Sequence, residues 1–191
     1  MKKIILASGS PRRKLLMDWA EMSFSVMVSD VDETYDPSLS PENIALSIAN
    51  KKNHAVQAQL GDYFKDHVLI AADTIVVLNN KIIGKPDNRD DAIEILKMLS
   101  GNIHEVITAV DIRSLEHQES FFDKTSVEFH PLTNDQIIHY VDQYKPYDKA
   151  GAYAIQEWIG VVGIKNINGD FYNVMGLPIS SVLQVLKKSF L

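Results

Sequence analysis

The order of segments along the chain predicts an α/β fold with a mixed sheet. Short strand-like stretches alternate with helical stripes of period 3.6, the pattern of a sheet covered by helices. Two turn signals, Asn79-Asn80 and residues 166–169, look like hairpins, which a purely parallel sheet does not contain. The composition, 46% hydrophobic and 23% charged over 191 residues, suits a single domain spanning residues 1–191. A chain of this length buries roughly 70% of its unfolded surface and needs no covalent staple.

Each element has a local reason. Residues 3–7 form a short apolar strand. Ser10 suits a helix N-cap and Pro11 the first helical position, so a helix runs over 11–20 with Leu15, Leu16 and Trp19 on one face. Phe24, Val26 and Val28 alternate with Ser25 and Met27 and read as a half-buried strand. An acidic loop covers 30–36. Ser40-Pro41 opens a second helix with Ile44, Ala45, Ile48, Ala49 and Val56 as its stripe. Residues 68–78 are a strand interrupted by Asp73 and Thr74, and Asn79-Asn80 turns it into a strand at 81–83. A helix covers 87–99 with Ala92, Ile93, Leu96 and Leu99 inward, and Ser100-Gly101 ends it. Residues 104–112 and 121–129 read as strands. Thr133 and Gln136 form a capping box for a helix reaching about Tyr144. Residues 159–165 and 170–174 flank the second hairpin signal, and 180–188 form the last helix.

Several functions are excluded early. The chain has no cysteine, hence no disulfide, no thiolate nucleophile and no cysteine-ligated zinc. The six histidines lack zinc-ligand spacing. No apolar run approaches the roughly 20 residues needed to cross a bilayer. The opening MKKIILASGSPRR has an apolar run shorter than the roughly 7–15 residues of a secretion signal, so a cytoplasmic protein without a membrane partner is expected. The net charge of −6 opposes a nucleic-acid partner. An anionic ligand must be small and held by local cations, with or without a divalent metal.

Five stretches carry candidate chemistry. Ser8-Gly9-Ser10-Pro11-Arg12-Arg13 joins a strand to a helix N-terminus, where free N–H groups and two guanidinium groups suit a phosphate; a plain capped helix with surface arginines fits as well. Asp73 sits in a buried strand, where a carboxylate is costly unless paired or metal-bound. The other reading is a strand-end Asp capping a turn, but no turn signal adjoins it. The loop carboxylates Asp30, Asp32, Glu33 and Asp36 match the hard oxygen donors that Mg²⁺ prefers, although acidic loops are commonly just solvated. Lys85, between Gly84 and Pro86, and Lys52 beside Lys51 offer cations but also fit exposed surface. In residues 147–156, small residues permit close backbone approach, and the Gln156 carboxamide complements an edge with both donor and acceptor, such as an imide.

Together and in this order, these stretches resemble the Maf family of nucleotide pyrophosphatases, within the inosine-triphosphatase-like superfamily. The matching motifs are SGSPRR (8–13), SDVDET (29–34), SIANKKNHAV (47–56), AADTIVV (71–77), GKP (84–86), LSGNIHEVITAV (99–110), YDKAGAYAIQ (147–156) and NGDFYNVMGLPI (168–179). The resemblance implies an elongated mixed sheet flanked by helices, in two lobes with a central cleft. It implies hydrolysis of a nucleoside triphosphate to the monophosphate and pyrophosphate, with Mg²⁺ or Mn²⁺ as cofactor and a homodimer as the assembly. Asp73 falls on the family's proton-accepting position. Arg12, Thr74 and Gln156 fall on positions tied to substrate choice, and Glu33, Lys52 and Lys85 on polar positions of the pocket. The DKAGAY…Q stretch looks like the branch that prefers dTTP and UTP. Ala154, where Gly is usual, and Glu157-Trp158, where a Gly-containing pair is usual, depart from that pattern, as does Asn53 in place of Ala.

The expected roles follow. Asp73, Lys52 and Lys85 are catalytic; Ser8, Arg12, Arg13, Thr74 and Gln156 bind substrate; Glu33 and Asp73 hold the metal. Water attacks the α-phosphorus, and the cations stabilise charge on the leaving pyrophosphate. The alternative from another class is a nucleotide-binding regulator of cell division that does not hydrolyse its ligand. A nicotinamide-dependent oxidoreductase would need GxGxxG after the first strand, and SGSPRR does not supply it.

Overall fold

The computed structural model describes residues 2–190. Met1 and Leu191, the end points of the expected domain, lie outside the described residues. The strands are β1 (Lys3–Leu6), β2 (Phe24–Val26), β3 (His67–Leu78), β4 (Lys81–Ile83), β5 (Ile103–Arg113), β6 (Gln118–Phe129) and β7 (Ile164–Asn168). The helices are α1 (Pro11–Trp19), α2 (Pro41–Leu60), α3 (Arg89–Leu99), α4 (Asn134–Tyr144), α5 (Trp158–Gly163), α6 (Phe171–Met175) and α7 (Ile179–Ser189). Among the described residues the strands form one sheet in the order β2-β1-β3-β5-β6-β7, with β4 on β3. β1 pairs in parallel with β2 and β3, whereas β3–β4 and β6–β7 are antiparallel, so the sheet is mixed as expected.

The chain divides into two compact units. One comprises Met1–Asp73, Thr108–Asp123 and Gly176–Leu191; the other comprises Thr74–Ile107 and Lys124–Met175. In the first unit Ile5 and Ala7 of β1 and Leu69 and Ala71 of β3 pack with Val56 and Phe64, and Met27 and Leu60 close the edge of this cluster. α2 buries Ile44, Ala45, Ile48, Ala49, Asn53 and Val56, the predicted stripe with one polar member. Its Ser40 hydroxyl accepts the Asn43 N–H, satisfying one of the orphan donors of the first turn.

In the second unit Asn79 and Asn80 both adopt the left-handed region, φ 50° and 62°, as a tight hairpin demands. α3 buries Ala92, Ile93, Ile95, Leu96 and Leu99, and α4 buries Ile137, Tyr140 and Val141. Both halves of the Thr133–Gln136 capping box are formed. Phe129, His104 and Tyr153 pack ring on ring, and the His104 Nε2 and the Tyr153 hydroxyl are 2.7 Å apart. This buried placement matches a structural role for His104.

Three expectations are corrected. Residues 159–174 are not a hairpin: the apolar run from Ile159 is α5, and residues 171–175 are α6, which follows a turn in which Asp170 Oδ1 accepts the Tyr172 N–H at 2.8 Å. The strand between them, β7, takes its ladder from β6. Short apolar runs do not distinguish strand from buried helix, and here tertiary pairing decided. In β2 the inward side chain is the neighbouring Met27, while Val26 and Val28 are 45% and 53% exposed. A strand at the sheet's end has a weak demand for that face, and a one-residue shift reverses every side chain. In α1 the buried face is Arg13, Leu16 and Met17, whereas Leu15 and Trp19 point to solvent. Tyr172 is half-exposed, while Met175 is buried.

Candidate active site

Asp73 lies in the interior of β3 and is 8% exposed. Its carboxylate answers the question that a charge in a buried strand poses: Lys52 Nζ, from α2, donates to Asp73 Oδ1 at 2.7 Å. The same ammonium lies 2.9 Å from Glu33 Oε1. Lys52 therefore draws together one carboxylate from a strand and one from the acidic loop. Helical spacing sets its direction: Lys52 stands four residues after Ile48 and four before Val56, on the face of the buried stripe, and is half-buried.

The acidic loop sorts itself by what its carboxylates touch. Asp32 accepts the Thr34 N–H and hydroxyl at 2.9 and 2.8 Å, and Asp36 accepts the Ser38 N–H at 2.9 Å. Both close local turns. Lys51 donates to the Thr34 carbonyl at 2.6 Å and so ties the loop to α2. Glu33 is the loop carboxylate that reaches Lys52.

The strand–turn–helix segment contributes Ser8 and Arg13. Ser8 is buried, and its Oγ accepts the Arg13 Nη1–H at 3.1 Å and the Ser10 N–H at 3.3 Å. Arg13 Nε donates to the Gly176 carbonyl at 2.8 Å. Burial pushes the Arg13 guanidinium below the ordinary arginine pKa; Asp73 and Glu33 pull it up and Arg12 pushes it down. Arg12, Arg13, Glu33 and Asp73 therefore share one electrostatic neighbourhood, and the first unit brings together Ser8, Arg12, Arg13, Glu33, Lys52 and Asp73.

The remaining candidates, Thr74, Lys85 and Gln156, belong to the second unit. Thr74 follows Asp73 on β3 and is half-buried, while Lys85 and Gln156 are exposed. The Gly151 N–H donates to the Gly84 carbonyl at 3.0 Å, which sets the loop of Lys85 against residues 149–152. Gly151 has φ 73°, and a Cβ there would press on Val76 at 3.1 Å, so the close approach requires glycine.

A metal is tested against this donor set. Glu33 and Asp73 offer hard oxygens that converge on one ammonium, the chemistry Mg²⁺ and Mn²⁺ select. Among the described residues no group of three or more His, Cys, Asp or Glu could hold a metal. Two carboxylates fit the mode in which Mg²⁺ takes one or two protein ligands and completes its shell with phosphate and water.

Sequence reasoning missed one buried network in the same unit. Asp111 is fully buried and accepts from Arg113 Nε (2.8 Å), Asn53 Nδ2 (2.7 Å), Gln118 Nε2 (2.7 Å) and Ser120 Oγ (2.6 Å). Burial works to raise its pKa, but the bonds from Arg113, Ser120 and Asn53 outweigh it and leave the carboxyl below the usual range. The signal was available: Asp111 interrupts an apolar strand as Asp73 does.

Fold and site define a mixed-sheet α/β protein whose cations and carboxylates gather where β1 turns into α1, beside the buried centre of β3. The family model for Maf-like protein matches residues 3–189, and the chain belongs to the Maf family. It is 49% identical to a dTTP/UTP pyrophosphatase of Cytophaga hutchinsonii over 98% of this chain and 84% of the relative. It is 48% identical to a dTTP/UTP pyrophosphatase of Bacteroides fragilis, covering 97% and 95% of the two chains. A protein of that description from Bacillus cereus is 46% identical over 98% and 96%. The solved structure of the Staphylococcus aureus Ham1 protein aligns with 67% of this chain and 72% of its own, at 18% identity and a TM-score of 0.45. Among the described residues no helix is long and apolar enough to cross a membrane.

Proposed function

We propose that this protein hydrolyses dTTP and UTP to the nucleoside monophosphate and pyrophosphate. The observation that carries the reading is the triad of Asp73, Lys52 and Glu33 within the electrostatic neighbourhood of the buried Arg13. The names of relatives 46–49% identical along nearly the whole chain support the same reaction and the pyrimidine substrates. The match over residues 3–189 supports treating the chain as one functional domain.

The water oxygen forms a bond to the α-phosphorus. The bond from that phosphorus to the bridging oxygen breaks, and pyrophosphate leaves with the electron pair. Asp73 takes the proton of the attacking water. Lys52 holds the Asp73 carboxylate in place, and Arg12, Arg13 and Lys85 offset charge that develops on the leaving group. Ser8 and Thr74 bind substrate, and Gln156 reads the imide edge of the pyrimidine with its donor and acceptor. Glu33 and Asp73 would hold Mg²⁺ or Mn²⁺, which polarises phosphate oxygens when bound. The reading is completed by a cytoplasmic homodimer with no nucleic-acid or membrane partner.

The test is pyrophosphate release from a panel of nucleoside triphosphates with Mg²⁺. Release from dTTP and UTP ahead of purine nucleotides, abolished by EDTA and restored by Mg²⁺ or Mn²⁺, is the expected result. Binding without release would favour the regulator instead.

A further inference from the structure

Gln156 sits on a turn whose two ends meet at one phenolic oxygen. Residues 154–157 form the turn, closed by the Glu157 N–H donating to the Ala154 carbonyl at 3.1 Å. Gln156 occupies its third position and is exposed. Tyr140, from α4, is fully buried. Its hydroxyl accepts the Ala154 N–H at 3.1 Å and donates to the Glu157 carboxylate. Ala154 and Glu157, two of the residues that depart from the pattern the resemblance implies, are thus the two that Tyr140 joins.

Other contacts fix the turn from the sides. Ile155, beneath Gln156, is buried, and Gly160 of α5 packs so close that a Cβ there would lie 1.7 Å from the Ile155 carbonyl oxygen. Tyr153, one residue before the turn, is held by His104. Lys149 Nζ lies 3.8 Å from Glu157 and 2.7 Å from Asp148. A side chain at the tip of a turn tied at both ends has few backbone states to lose on binding, which is what discrimination by a carboxamide needs.

We propose that Tyr140 and Glu157 are positioning residues for Gln156 that set the protein's preference among nucleobases. The inference rests on the proposed pyrophosphatase reading and on Gln156 as its base reader. Tyr140 reaches the nucleotide only through the turn. Its loss therefore changes KM and nucleotide preference and spares turnover. Glu157 acts as an acceptor for the Tyr140 hydroxyl, so a neutral acceptor of the same shape replaces it.

The experiment measures kcat and KM for UTP, dTTP, ATP and GTP in the wild type and in Tyr140→Phe, Glu157→Ala, Glu157→Gln, Gln156→Ala and Tyr140→Phe/Gln156→Ala. Circular dichroism and thermal unfolding check each fold. Loss of a hydrogen bond that orients a binding group predicts that Tyr140→Phe and Glu157→Ala lower the pyrimidine preference about three- to tenfold, through KM. Glu157→Gln keeps the preference. The double variant loses no more preference than Gln156→Ala alone, because both changes act through one side chain. A folded Tyr140→Phe with intact preference, or additive losses in the double variant, overturns the inference alone. If Tyr140→Phe does not fold, Glu157→Ala against Glu157→Gln decides. Absence of pyrophosphate release by the wild type from every nucleotide overturns the proposed function as well.

Discussion

Lys52 Nζ lies 2.7 Å from Asp73 Oδ1, and the pair joins α2 to the middle of β3 where both side chains are largely shielded from water. Such a pair costs desolvation that its mutual attraction barely offsets, so stability alone does not account for it. Glu33 adds a second carboxylate to the same ammonium. The three charges leave one net negative charge beside two arginines, a balance suited to a ligand that brings both phosphate and metal.

Asp73→Asn removes the proposed proton acceptor and keeps the shape. Turnover falls by about 10²-fold or more, the usual size of a general-base contribution. Pyrophosphate release and circular dichroism are measured on the same preparation. A folded variant with near-normal turnover removes Asp73 from the chemistry.

Lys85→Ala removes an exposed cation from the loop after β4. Its burial is too slight for the change to disturb the fold. Under its proposed role turnover drops by about 10²-fold, the size found for donors that meet charge in a transition state, and thermal unfolding stays at the wild-type temperature. Unchanged kinetics would return Lys85 to the solvated surface.

Asp111 and Arg113 are 0% and 4% exposed at their side chains. Asp111→Ala leaves a buried guanidinium without its carboxylate and destabilises by about 3–5 kcal/mol. The triple change Asn53→Ala, Asp111→Val, Arg113→Leu removes the buried charges together and recovers most of that loss. Urea unfolding of the three proteins gives the values. Equal instability of the single and triple variants would contradict the account.

His104 gives a pH dependence with a defined sign. Burial pushes its pKa down to about 4 from 6.5, so the folded protein keeps the ring neutral where the unfolded chain already binds a proton. Its contribution is complete above pH 6.5 and is lost as pH falls from 6.5 towards 4. The shift corresponds to about 3 kcal/mol. The unfolding free energy of His104→Gln, compared with wild type across that window, shows a flatter slope; parallel curves would refute the assignment.

What was legible in the sequence was local. The Ser40 cap, the Thr133–Gln136 capping box and the left-handed Asn79-Asn80 turn depend on residues three positions apart or fewer, and each formed as read. Asp73 was legible because its cost is intrinsic to its strand. The partner was not, since Lys52 lies 21 residues away and the Lys51-Lys52 pair reads as solvated surface. Asp111 carried the same signal, but a second carboxylate in a strand was answered by Arg113 two residues on and by Asn53, 58 residues away. The false hairpin at 166–169 shows the converse: a turn signal fixes where the chain bends, and a partner strand elsewhere decides what it pairs with. The Tyr140–Glu157 bond was hidden because neither residue is unusual until they meet.

Lys51 holds the acidic loop by the main-chain oxygen of Thr34, a group every amino acid carries. Its grip is indifferent to which side chains the loop displays. Natural variation can therefore accumulate on that stretch outside Asp32, Glu33, Thr34 and Asp36, whose side chains shape its turns or reach Lys52, and a library randomised at the other positions would yield many working proteins.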